Sequence, residues 1–66
     1  MNIEALKTFL VVAEVKNFTK AAQQLFVVQS TITNRIKELE KEIGQPLFDR
    51  DNKHITLTHA GEHFYE

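Results

Sequence analysis

Isoleucine and leucine recur at Ile32, Ile36, Leu39 and Ile43, at separations of four, three and four residues. At about 100° per residue these side chains fall within roughly 60° of one another, so the segment is an amphipathic helix with one face turned to a core. The opposite side carries Ser30, Thr33, Asn34, Lys37 and Lys41, while Glu38, Glu40 and Glu42 fall on the flanks and toward the C-terminal end. An ordinary solvated helix more often mixes Glu into its outermost stripe for i,i+4 pairing. Short amide and hydroxyl groups followed by lysines suit a helix laid in a nucleic-acid groove, the first at base edges and the second at phosphates.

The flanking segments say what that helix packs against. Ile3, Leu6, Phe9, Leu10 and Ala13 mark one face of a helix over about residues 3–15. Asn2 can cap its start and Glu4 suits its first turn. Lys16-Asn17 ends it, with Asn17 expected to take a left-handed turn. Thr19 offers an N-cap for a second helix through Lys20–Leu25, whose paired Ala21 and Ala22 allow close approach of a neighbour. Phe26-Val27-Val28 suits a short turn packed inward. Gly44 closes the third helix. Pro46-Leu47-Phe48 and His54-Ile55-Thr56-Leu57 then read as two short strands about an Asp51-Asn52 turn, with Arg50 and Lys53 bracketing the tip. Thr58 caps a last helical pattern containing Ala60 and Phe64. That pattern reaches the end of the chain without a C-cap, and the natural protein is expected to continue. The expected fold is mainly α with a small β-hairpin: a winged helix-turn-helix of three helices, a wing and the start of a further helix.

Composition narrows the functions open to such a fold. Sixty-six residues allow one domain and leave little room for a deep catalytic pocket. Two glycines, one proline and 42% apolar residues argue against disorder. With no cysteine there is no disulfide framework or thiolate metal site, and a reducing cytoplasm is the expected compartment. The longest apolar run, Phe9–Ala13, is too short to span a membrane. A net charge of −1 looks wrong for a nucleic-acid partner. The distribution corrects this: Lys16, Lys20, Arg35 and Lys37 lie in a window without a single acid, and local field governs docking on phosphate.

Catalytic readings fail on spacing. His59-Ala60-Gly61-Glu62-His63 matches the H-x-x-E-H zinc pattern, but it begins in a first helical turn, contains a glycine and has no downstream third ligand. Ser30 is the only serine and lacks a Gly-x-Ser-x-Gly elbow. No enzyme is expected. Phe9, Phe18, Phe26, Phe48 and Phe64 could form a stacking platform for single strands; their apolar neighbours make core packing the expectation, at least for Phe9 and Phe48.

Five stretches carry a family resemblance. Asn17-Phe18-Thr19-Lys20-Ala21-Ala22 with Leu25, Val27-Val28-Gln29-Ser30-Thr31-Ile32-Thr33, Ile36-Lys37-Glu38-Leu39-Glu40 with Ile43-Gly44, Pro46-Leu47-Phe48-Asp49-Arg50, and Leu57-Thr58-His59-Ala60-Gly61-Glu62 follow in one order over nearly the whole chain. Together they resemble the DNA-binding domain of the LysR-type transcriptional regulators. The resemblance implies a winged helix-turn-helix over residues 1–57, with 58–66 beginning a dimerising linker helix. It implies a recognition helix 29–43 in the major groove of double-stranded DNA bearing an interrupted palindrome, and a wing 47–57 on the backbone or minor groove. A homodimer or homotetramer through the linker helix is implied, with a small-molecule effector bound by a separate C-terminal domain and no cofactor in this one.

By the same resemblance, Gln29, Ser30, Thr33 and Asn34 map onto base-reading positions and Lys53 onto the wing position that reaches the minor groove. Thr19, Thr31, Arg35, Lys37 and Arg50 are candidate backbone or supporting contacts. Two positions depart from the family pattern. Val28 stands where a small polar residue is common, so the recognition helix is expected to begin later or to use Ser30 as a substitute cap. Asn34 stands where a basic or otherwise polar residue is common and favours adenine by side-chain geometry. The alternative from another class is a winged-helix protein–protein interaction module, which the acids near the wing would suit.

Overall fold

The computed structural model describes residues 2–50 and 55–65. Its elements are α1 (Ile3–Val15), α2 (Phe18–Leu25), α3 (Gln29–Ile43), β1 (Phe48–Arg50), β2 (Ile55–Leu57) and α4 (His59–Tyr65). The strands pair antiparallel, with Phe48 opposite Leu57, Asp49 opposite Thr56 and Arg50 opposite Ile55. Three helices and a hairpin in this order form a winged helix-turn-helix, and α4 packs against β2.

Asn2 caps α1 as its sequence position suggested: its Oδ1 accepts the backbone N–H groups of Glu4 at 2.6 Å and Ala5 at 3.4 Å. The next junction differs from expectation. Lys16, not Asn17, takes the left-handed conformation, at φ 53°. Asn17 is extended and caps α2, its Oδ1 accepting the Lys20 N–H at 2.9 Å; Thr19 is therefore inside the helix rather than at its cap. Burial decides this register. With Asn17 as cap, Phe18 becomes the first helical residue and its ring is buried with centroid 6.5 Å from that of Phe48.

The turn between α2 and α3 also departs from its apolar sequence. Phe26 sits at φ 58° and is 93% exposed, and Val28 is exposed as well. Only Val27 packs against the core. The cause is a Schellman closure: Phe26 N–H bonds Gln23 C=O at 3.3 Å and Val27 N–H bonds Ala22 C=O at 3.0 Å. This closure turns the Val27 side chain inward and leaves the left-handed Phe26 outside. Helix α3 nevertheless begins at Gln29, neither later nor on a Ser30 cap. Val28 occupies the cap position without a side-chain bond. Burial of Ile32, Ile36 and Leu39 outweighs the missing cap. Gly44, at φ 85°, closes the helix as its sequence position suggested.

The core joins Phe9 and Val12 of α1 to Ile32, Ile36 and Leu39 of α3 and to Leu47, all essentially without solvent contact. Phe9 lies between the rings of Phe48 and Phe64, each at a centroid distance of 5.3 Å. Phe9 and Phe48 thus pack in the core, as expected.

The first strand begins at Phe48 rather than Pro46. Pro46 has no N–H to pair, and the N–H of Leu47 is taken by a side chain rather than by the opposite strand. That N–H goes to the Glu40 carboxylate at 2.8 Å, and the Leu47 C=O accepts the Thr58 N–H at 3.0 Å. Thr58 also donates its hydroxyl to Pro46 C=O at 2.7 Å and accepts the Gly61 N–H at 3.0 Å, capping α4 as expected. Gly61 is required by close approach: a Cβ there would collide with the Leu47 carbonyl oxygen. The proposed Asp51-Asn52 turn and His54 lie outside the described residues.

Candidate nucleic-acid interface

Helix α3 stands with its apolar stripe on α1 and α2 and its polar stripe in solvent. Gln29, Ser30, Asn34, Lys37 and Lys41 are exposed, whereas Thr31 and Thr33 are half-buried. No acidic residue occupies the first turn. The exposed half of the helix thus offers amide and hydroxyl groups at its N-terminal end and ammonium groups one and two turns later. Such a surface can donate and accept hydrogen bonds at base edges while neutralising phosphates.

Around this stripe the candidate residues separate into three groups. Thr19, on the first turn of α2, is joined to it: its hydroxyl donates to Gln29 Oε1 at 3.2 Å, and both residues are exposed. Arg50 is close to the α2 start instead. Its guanidinium carbon lies 4.6 Å from the centroid of the Phe18 ring, a cation–π arrangement that holds the C-terminal end of β1 against α2.

Arg35 is not brought to the stripe. Its Nη1 donates to Thr8 Oγ1 at 3.3 Å and its Nη2 lies 3.6 Å from Glu4 Oε2, so it ties α3 to α1. Its position on the wheel, one residue beyond Asn34, turns it to the α1 flank. Lys53 lies outside the described residues.

Glu40 has a role that reading the helix face alone missed. Helical angles put it on a charged flank, yet its Oε2 accepts the N–H of both Leu47 and Phe48, at 2.8 and 3.4 Å. The signal that could have found it is Pro46 beside an inward-facing Leu47, a stretch whose N–H groups need an acceptor where the chain reverses. The histidines of the H-x-x-E-H pattern, His59 and His63, are exposed on α4. Among the described residues, no group of three or more potential ligands is placed to hold a metal ion. No helix among them is long and apolar enough to cross a membrane.

Comparison with known proteins agrees with this architecture. The transcriptional regulator IlvY of Escherichia coli K12 is 48% identical over 62 residues, covering 94% of this chain and 21% of that protein. The chain thus spans about a fifth of the length of the IlvY proteins it matches. A crystal structure of BenM_DBD in complex with catB site 1 DNA superposes with a TM-score of 0.93 at 35% identity, over 98% of this chain and 73% of that one. A CbnR_DBD–DNA complex gives 0.93 at 40% identity, over 98% and 75% respectively. Residues 3–62 match the profile of the bacterial regulatory helix-turn-helix proteins of the lysR family, and the chain belongs to that family.

Proposed function

We propose that the chain reads the sequence of double-stranded DNA as the winged helix-turn-helix of a transcriptional regulator. The observation that carries the reading is the acid-free stripe of exposed Ser30, Asn34, Lys37 and Lys41 with half-buried Thr33 on α3, opposite the buried Ile32, Ile36 and Leu39. Support comes from two solved relatives, BenM_DBD and CbnR_DBD, whose structures contain DNA. In this reading the N-terminal half of α3 enters the major groove. Gln29, Ser30, Thr33 and Asn34 meet base edges, and Thr31, Lys37, Arg50 and Lys53 meet the backbone or the minor groove. Arg35 is assigned to the α1–α3 tie in place of a phosphate contact.

The division of labour follows the family. Residues 1–57 form the reading domain, and 58–66 begin a helix that pairs two copies on an interrupted palindrome. Two half-sites engaged together bind far more tightly than one, so the isolated chain binds weakly. Effector recognition belongs to other parts of such regulators, no cofactor acts in this domain, and the cytoplasm is its compartment.

Amide NMR of the chain titrated with a mixed-sequence duplex tests the reading. The expected shifts are confined to residues 29–37 and 50–54 and fade as salt rises, because phosphate binding releases counterions. An intact fold with no shifts at low salt would refute it. Asn34→Ala is expected to remove about 1–3 kcal/mol of discrimination at one base pair. Equal losses on preferred and random duplexes would take base reading away from Asn34.

A further inference from the structure

The contact between Thr19 and Gln29 joins two exposed side chains on different helices, ten positions apart in sequence. Exposed long side chains ordinarily sample many rotamers, and ordering one on binding is unfavourable. Gln29 is already tethered. Its partner is well placed to hold it, because Thr19 sits on a turn fixed by the Asn17 cap and by the burial of Phe18 just before it. Gln29 itself opens α3 directly after Val28, whose side chain offers no competing hydrogen bond.

The direction of the bond has a chemical consequence. A glutamine amide has one acceptor oxygen and two N–H donors. Read bidentately against adenine, it must present the oxygen and the nitrogen together to N6 and N7. Here the hydroxyl of Thr19 draws the oxygen toward α2, and the free group is the donor pair. A base edge with two acceptors, N7 and O6 of guanine, suits that group.

We propose that Thr19 is a positioning residue for the readout of one base pair, holding the Gln29 amide by its oxygen so that its N–H donors face a guanine. The proposal rests on the DNA-reading function above. It assigns Thr19 a part in specificity in place of a phosphate contact.

The test uses the 66-residue chain and duplexes selected from a random library at low salt. Fluorescence anisotropy then compares the preferred duplex, single-base variants of it and a scrambled duplex. Thr19→Val keeps the shape and removes the hydroxyl. It is expected to lower discrimination at one guanine by about tenfold. Thr19→Ser is expected to restore it. In a Gln29→Ala background Thr19→Val should have no further effect on discrimination. Replacing that guanine by 7-deazaguanine, which removes the N7 acceptor, should weaken the wild type more than Thr19→Val.

Other results overturn the proposal. Equal losses on preferred and scrambled duplexes, with a shallower salt slope, would make Thr19 a phosphate contact. An adenine or a pyrimidine at the position read by Gln29 would refute the donor orientation, and unchanged discrimination in Thr19→Val would refute positioning altogether. Failure of the folded wild type to bind any duplex at low salt is a separate result: it sinks the DNA reading itself and the proposal with it.

Discussion

The two ends of α3 are held in different ways. At the C-terminal end, Leu39 is buried, Gly44 adopts the left-handed closing conformation, and the Glu40 carboxylate gathers the N–H groups of Leu47 and Phe48. At the N-terminal end, Val28 supplies no cap bond, and Gln29 and Ser30 stand in solvent. One end is fastened to the hairpin; at the other the Gln29 oxygen is held by the exposed Thr19 hydroxyl, while the Gln29 N–H donors and Ser30 face solvent. Stability and recognition thus occupy opposite ends of one helix, as expected where an exposed surface must keep hydrogen-bonding groups free for a partner.

Substitutions at four positions test that division. Leu39→Ala, at the fastened end, is expected to cost about 2–5 kcal/mol in urea denaturation. In a domain this small that loss unfolds much of the population. A loss well under 1 kcal/mol would show that the fastened end carries little of the fold. Glu40→Ala comes next, at about 1.5–3 kcal/mol, because two N–H groups lose a charged acceptor. Glu40→Gln retains an oxygen there and should lose less in the same urea denaturation.

Val28→Ser acts at the free end and with the opposite sign. A serine cap should add about 1 kcal/mol, raising Tm by roughly 4–8 °C in a domain of this size. No gain would mean that neighbouring groups already satisfy the first-turn N–H groups. The smallest effect belongs to Asn34→Ala, which should change stability by less than about 0.5 kcal/mol while altering DNA discrimination. A large stability loss there would place Asn34 in the structural half of the helix.

Much of this arrangement was legible in residue order. The apolar spacing of Ile32, Ile36 and Leu39 announced the buried face of α3, and all three are fully buried. Asn2, Gly44 and Thr58 cap where local chemistry placed them. Other local choices were overruled. Asn17 was the better left-handed residue, yet Lys16 takes that conformation and Asn17 becomes a cap, because this register buries Phe18. Phe26 read as a core residue and lies in solvent, since the Schellman closure can turn only one of Phe26 and Val27 inward. Within the candidate interface, the polar stripe was readable from helical angles, but the position of Arg35 was not. Its partners Glu4 and Thr8 lie on α1, far away in sequence.

By itself, the sequence determined which segments are helical, which face of α3 is apolar, and the winged helix-turn-helix order that places the chain in its family. These features depend on spacings of three and four residues and on side chains that cap their own turns, interactions confined to one element. The tertiary structure alone decided which residues bear the left-handed turns, where β1 starts, which cation is drawn away from the polar stripe, and that Thr19 meets Gln29. Each of these depends on groups brought together from different elements. At such points the burial of a ring or the satisfaction of a backbone N–H outweighs the fraction of a kilocalorie that separates local preferences.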